Sequence, residues 1–218
     1  MWYEGLFEAL ESMRDHEYAA RMASYMRNQF PFLGIKAGPR RDAIKPYLAK
    51  AKKEKIVDFD FVDKCFAMEE REFHLAAVDY LSAIKELLGP ADLPKLKRII
   101  LTRSWWDTVD GLVKVVGSIV FRYPETKAAM LEWSLDDSIW VRRVAILHQG
   151  FKDKTDMGLL AAIIENNMNQ KEFFINKAIG WSLREYSKTN PEWVREFIQE
   201  HKQDMANLSI REGSKYIK

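Results

Sequence analysis

Ser104-Trp105-Trp106-Asp107-Thr108-Val109-Asp110 has the pattern of a helix start, and that pattern recurs along the chain. Trp105 stands four residues before β-branched Val109, which puts both side chains on one helical face. The same aromatic-then-small spacing appears in Phe73-His-Leu-Ala-Ala-Val, Trp140-Val-Arg-Arg-Val-Ala and Phe174-Ile-Asn-Lys-Ala-Ile. Their starts are 32, 35 and 34 residues apart, about the length of one helix pair. Units that cannot bury an apolar face alone must stack, so this period predicts an α-solenoid with one continuous core. Such a fold curves, and its concave face is where a partner is expected to lie.

The rest of the chain agrees. Nearly every segment has helical periodicity, and none alternates convincingly with period 2. The 10 Gly and 7 Pro among 218 residues are few, which favours long helices over hairpins. Pro31, Gly34, Gly38 and Pro39 mark the longest break, before a basic helix from Arg40 to about Ala51. Gly89-Pro90 is expected to end the helix that starts at Arg71. Pro124 suits a helical first turn. Lys50 to Lys55 reads as a solvated loop. No linker or low-complexity segment divides the sequence, so a single all-α domain over residues 1–218 is expected.

Composition narrows the chemistry. A net charge of +2, from 34 basic and 32 acidic residues, implies nucleic acid only if placement makes a basic surface. Basic clusters at Arg40/Arg41/Lys45, Lys95/Lys97/Arg98/Arg103, Arg142/Arg143 and Lys177/Arg184/Lys188 could line such a track on successive repeats. The lone Cys65 cannot form an intrachain disulfide and reads as a small buried hydrophobe. The acidic, amphipathic N-terminus is unlike a signal peptide, and no segment is apolar enough to span a membrane. A cytoplasmic protein is the expectation. There is no phosphate loop, no nucleophile elbow, no His-Glu-x-x-His, and no ligand spacing among His16, His74, His148 and His201. No metal or cofactor is expected.

Two sites resist a purely structural account. Ser104 and Asp107 have the spacing of a capping box, which would occupy Asp107. Asp110 lies past the first turn, four residues after Trp106, on the face away from Val109, Leu112, Val113 and Val116. A large ring beside an anion, both turned from the core, asks for a function. Gly180, inside a helical pattern before Trp181, costs about 1 kcal/mol relative to Ala, so close packing or close ligand approach must compensate.

Three blocks carry a family resemblance: Ser104-Trp-Trp-Asp-Thr-Val-Asp110, Trp140-Val-Arg-Arg143-Val-Ala-Ile-Leu, and Lys171 through Pro191 with its Ala178-Ile-Gly-Trp181 core. With Ala23-Ser-Tyr25-Met-Arg-Asn-Gln-Phe, Phe32-Leu-Gly-Ile and Arg71-Glu-Phe, the sequence resembles the bacterial DNA alkylation repair glycosylases of the AlkD type over nearly its whole length. The resemblance implies HEAT-like repeats, a concave face for duplex DNA, and excision of cationic N3- and N7-alkylpurines. It implies that Asp110 is the catalytic carboxylate and that Trp106 and Trp181 flank the lesion. Arg143 would contact DNA, as would Tyr25 and Arg184. The stretch from Gly150 to Thr155 departs from the family's pattern, and no lysine near it is assigned a role.

The residues suit that chemistry. An N3- or N7-alkylated purine is already cationic and leaves without an acid to protonate it. A carboxylate can stabilise the positive charge that grows on the sugar and can orient water. Indole faces attract cations by roughly 0.5–2 kcal/mol each. No lysine stands out as a Schiff-base nucleophile, so monofunctional hydrolysis is expected, and a monomer is the expected state. A DNA-binding relative without excision activity, and a HEAT-type protein-interaction scaffold, are the alternatives.

Overall fold

The structure, a computed structural model, describes residues 1–150 and 154–217. Residues 151–153, in the stretch that departs from the family's pattern, lie outside the described residues, as does Lys218. Every regular element among the described residues is helical. The all-α expectation holds. The chain falls into two compact units, Met1–Leu88 and Gly89–Lys218, divided at Gly89-Pro90.

The first unit contains α1 (Leu6–Glu11), α2 (His16–Tyr25), α3 (Ala37–Lys53), α4 (Phe59–Ala67) and α5 (Arg71–Ala83). Asp15 and Asp58 cap α2 and α4, accepting from the amides of Tyr18 and Phe61, both at 2.9 Å. Helix α5 packs against α3 and α4, and α1 packs against α3. The core between them includes fully buried Leu6, Leu10, Phe61, Phe73 and Tyr80.

Helix α3 starts earlier and ends later than its sequence suggests. Gly38 and Pro39 sit in its first turn, where a missing N–H costs nothing because those amides lack helical partners. At the other end Lys50, Lys52 and Lys53 belong to the last turn, where positive charge suits the helix dipole.

The second unit contains α6 (Leu93–Leu101), α7 (Trp106–Arg122), α8 (Lys127–Trp133), α9 (Ile139–Leu147), α10 (Met157–Glu165), α11 (Phe173–Tyr186), α12 (Pro191–Glu200) and α13 (Asn207–Gly213). Its order is that of a solenoid. Helices α7, α9, α11 and α13 pack side by side, each against the next. Helix α6 lies against α7, α8 against α9, and α12 against α11 and α13, as a second layer. Each buried Val, Leu or Ile contributes about 1.5–3 kcal/mol, and Val109, Leu112, Val115, Val116 and Ile119 of α7 are all fully buried.

The sequence repeat falls on the starts of these inner helices. Within the second unit its aromatics touch: Trp105, Trp140 and Phe174 have ring centroids 4.9–5.6 Å apart. Phe73, the first instance, packs on Phe7 inside the first unit. The expected cap at Ser104 is corrected. Trp105 occupies the N-cap position of α7 and no side chain caps it; the Ser104 hydroxyl instead donates back to the Ile100 carbonyl at 2.6 Å.

Two histidines of the core are structural. His74 lies buried between Arg71 and the Met68 carbonyl. His148, at the end of α9, is 1% exposed, and its Nδ1 bonds the Ala145 carbonyl at 2.6 Å. Burial lowers its pKa to about 4. The folded state therefore binds fewer protons than the unfolded chain between about pH 4 and 6.5. Its contribution is complete above the unfolded pKa and lost as the pH falls. From pH 6.5 to 5 the loss should be about 1.5 kcal/mol. Urea unfolding at both values checks this, with His148→Leu expected to remove most of the slope. Burial likewise pushes the Cys65 thiol well above its usual range, so it behaves as the inert core residue its sequence context suggests.

Candidate active site

Three inner helices of the second unit converge on Asp110. It lies on α7, one turn past Trp106, and its side chain is 26% exposed. From α9, Arg143 closes a two-pronged fork on it: Nε donates to Oδ1 at 2.7 Å and Nη2 to Oδ2 at 2.8 Å. The remaining arm, Nη1, donates to the Phe174 carbonyl at 2.6 Å, at the start of α11. That carbonyl anchors the guanidinium from the third helix. Arg143 is only 1% exposed, and a buried charge of this kind persists only when paired and hydrogen-bonded. Its planar fork matches both carboxylate oxygens at once, which a lysine could not do.

Aromatic rings back the fork. The Arg143 guanidinium lies 5.8 Å from the Phe174 ring and 5.3 Å from the Trp181 indole. Trp181 stands two turns further along α11, half-buried. Together with Asp110 it walls a cavity of about 280 Å³, which Leu147, Leu160, Arg184 and Tyr186 also line. The cavity thus joins two carboxylates, Asp110 and Glu185, two cations, Lys114 and Arg184, an indole and apolar side chains. Such a concave, mostly apolar space with a few convergent polar groups is the usual form of a ligand site.

Lys177 and Arg184, one turn before and one turn after Trp181, lie 5.7 and 5.8 Å from its ring. Both are tied to Glu212 of α13, at 2.9 and 3.0 Å. Glu212 is buried, and the cations beside it hold its carboxyl down to about 2. Gly180 explains itself here. A Cβ at that position would come within 2.5 Å of Glu212 Cβ and 3.1 Å of the Ser209 carbonyl. The close packing demanded by a glycine inside a helix is the contact between α11 and α13. Among the described residues no group of three or more His, Cys, Asp or Glu side chains is gathered as a metal site requires.

The sequence profile of a family described as "DNA alkylation repair enzyme" matches residues 6–217. The chain belongs to the DNA alkylation repair enzyme family. Among solved structures it is similar to one described as "Predicted DNA alkylation repair enzyme from Enterococcus faecalis". The two are 35% identical over 94% of this chain and 97% of that one, with a TM-score of 0.86. No curated protein matches. No described helix is long and apolar enough to cross a membrane.

Within this member of the DNA alkylation repair enzyme family, the structure brings together Asp110, Arg143, Trp181 and Arg184. Trp106 is half-buried on α7, one turn before Asp110, outside the wall of the cavity. Asp110 does not look freely outward, as the helix pattern suggests, because Arg143 reaches it. Arg143, expected at DNA, has three of its nitrogens engaged with Asp110 and Phe174. Tyr25 belongs to the first unit, where it ends α2 at 75% exposure beside a shallow pocket lined by Tyr18, Met22, Met26 and Phe32. Phe174 and Glu212 went unread in the sequence as site residues. Phe174 carried a signal, being the fourth aromatic of the repeat, whereas Glu212 carried none beyond the cost of Gly180.

Proposed function

We propose that the chain is a monofunctional glycosylase that hydrolyses the N-glycosidic bond of cationic N3- and N7-alkylpurines in duplex DNA. The observation that carries this reading is the Asp110 carboxylate, clamped in one orientation at the wall of a cavity that also holds an indole. The alkylated purine brings its own positive charge and leaves as a neutral base, so the site needs no proton donor. As the bond breaks, positive charge develops on the sugar. A carboxylate fixed beforehand stabilises that charge without reorganising at the moment of reaction. The same oxygens can accept a proton from the water that attacks the sugar carbon.

In this proposal Arg143 acts first on Asp110. A bidentate grip on a phosphate would require the fork to leave the carboxylate, so its part in DNA contact goes through the N–H groups not already engaged. Arg184 and Tyr25 are assigned to the DNA backbone, with Trp106 and Trp181 as aromatic flanks of the lesion. An indole that already attracts Lys177, Arg184 and Arg143 has the quadrupole to attract a cationic base or sugar as well.

The test is incubation of methylated duplex DNA with the full chain, followed by separate counts of free base, abasic sites and strand breaks. Free 7-methylguanine with an equal number of unbroken abasic sites supports the reading; strand breakage accompanying each released base would contradict simple hydrolysis. Binding of undamaged duplex should be salt-dependent, weakening more than about tenfold between roughly 50 and 200 mM salt. Salt-insensitive binding would instead favour the protein scaffold.

A further inference from the structure

Glu212 accepts more cations than charge balance requires. Its carboxylate is 5% exposed, yet Lys177 Nζ, Arg184 Nη1 and Lys215 Nζ all reach it, at 2.9, 3.0 and 3.0 Å. One anion under three cations leaves the cluster positive. The depth of this carboxylate follows from Gly180, whose missing side chain lets α13 settle against α11. The Ser209 hydroxyl, one turn before Glu212, donates to the Asn176 carbonyl at 2.8 Å and fixes the register of the two helices.

The consequence falls on Trp181. Lys177 at i−4 and Arg184 at i+3 share its helical face, and both lie within 6 Å of the indole centroid. Long basic side chains at a half-exposed position sample many rotamers unless their ends are tied. Glu212 ties both, from a helix that itself contributes nothing to the cavity wall described above. We infer that Glu212 is a positioning residue, holding Lys177 and Arg184 against Trp181 and so fixing the indole wall of the cavity that Asp110 lines. The link to base release rests on the proposed function; the link to the indole does not.

The full-length Glu212→Gln variant, close to isosteric, tests both links. Acrylamide quenching of Trp181 is obtained as the difference between each protein and its Trp181→Phe counterpart. With the cations released, that difference should rise at least about twofold. Single-turnover release of 7-methylguanine at saturating protein should fall at least about tenfold, while undamaged duplex binds within about threefold of wild type. A combined Lys177→Met and Arg184→Met variant, which keeps Glu212, should reproduce the quenching effect, the readout that does not depend on the assignment of Arg184 to the DNA backbone. It carries the test if Glu212→Gln does not fold.

Unchanged Trp181 quenching would overturn the inference. So would, in Glu212→Gln, release within twofold of wild type despite increased quenching, or a loss of duplex binding large enough to account for the whole loss of release. If the wild type itself releases no base, the proposed function fails, and the quenching difference alone then decides the role of Glu212.

Discussion

Arg143→Met is expected to lower the unfolding free energy by about 3 kcal/mol and to slow base release by at least about tenfold. The substitution keeps much of the side chain's length but removes every donor. Asp110 then loses both of its contacts with the fork, and the Phe174 carbonyl loses a 2.6 Å donor. Removing Arg143 costs more than the pair is worth, because Asp110, only 26% exposed, keeps its charge with little water to replace the fork. Arg143→Lys should be intermediate: a point charge can reach one oxygen of Asp110 but cannot span both oxygens and the carbonyl.

A second substitution separates stability from activity. Asp110→Leu combined with Arg143→Met removes both charges, and should recover part of the stability lost by Arg143→Met alone. It should recover no activity. Denaturant unfolding and single-turnover release, measured on the same preparations, check the pair. An Arg143→Met protein with wild-type stability and wild-type release would refute the importance of the fork.

Glu72→Ala is expected to cost the first unit about 3–5 kcal/mol. Glu72 is fully buried on α5, and its two oxygens accept from three consecutive amides, Leu33, Gly34 and Ile35, at 2.8–2.9 Å. Those amides belong to the non-helical segment between α2 and α3, so none of them has a backbone acceptor within a helix. Gly34 adopts φ of +94° within it and lies against the backbone of Asp15 and Ala19, where no side chain fits. Truncating Glu72 therefore strands three buried donors whose backbone cannot easily turn to water. The loss should appear as a lower denaturation midpoint for the signal of the first unit. A change below about 1 kcal/mol would mean that the segment finds other acceptors.

The parts of this structure that sequence could reveal are those governed by local period. The aromatic spacing located the starts of α5, α7, α9 and α11, and in the second unit it marked the very rings that meet, Trp105, Trp140 and Phe174. The cost attached to Gly180 pointed to close packing or close ligand approach, and the contact of α11 with α13 is the packing it required. Other features depend on residues far apart in the chain. Asp110 and Arg143 are 33 residues apart, and no local rule decides which of Arg142 and Arg143 turns inward. The choice is made by Asp110 and the Phe174 carbonyl on flanking helices. Glu212 finds Lys177 35 residues away, a contact created by the approach of α11 to α13. The mistaken cap shows a local limit too. Ser104 has the right spacing, but Arg103 enters with φ of +47° and α7 begins one residue later, so its hydroxyl faces the preceding helix instead.

Base release by wild type and Asp110→Asn, side by side, decides whether the Asp110 carboxylate drives base excision. The assay is single-turnover release of free 7-methylguanine from methylated duplex, with undamaged-duplex binding measured for both proteins. Asn keeps the shape of the side chain and removes the charge that would stabilise the developing sugar cation. Release by the wild type is expected, with at least a tenfold slower rate in the variant, about 1.4 kcal/mol of transition-state stabilisation, and binding retained. Equal release by the two proteins, or none by either over hours at protein excess, would contradict that role of Asp110.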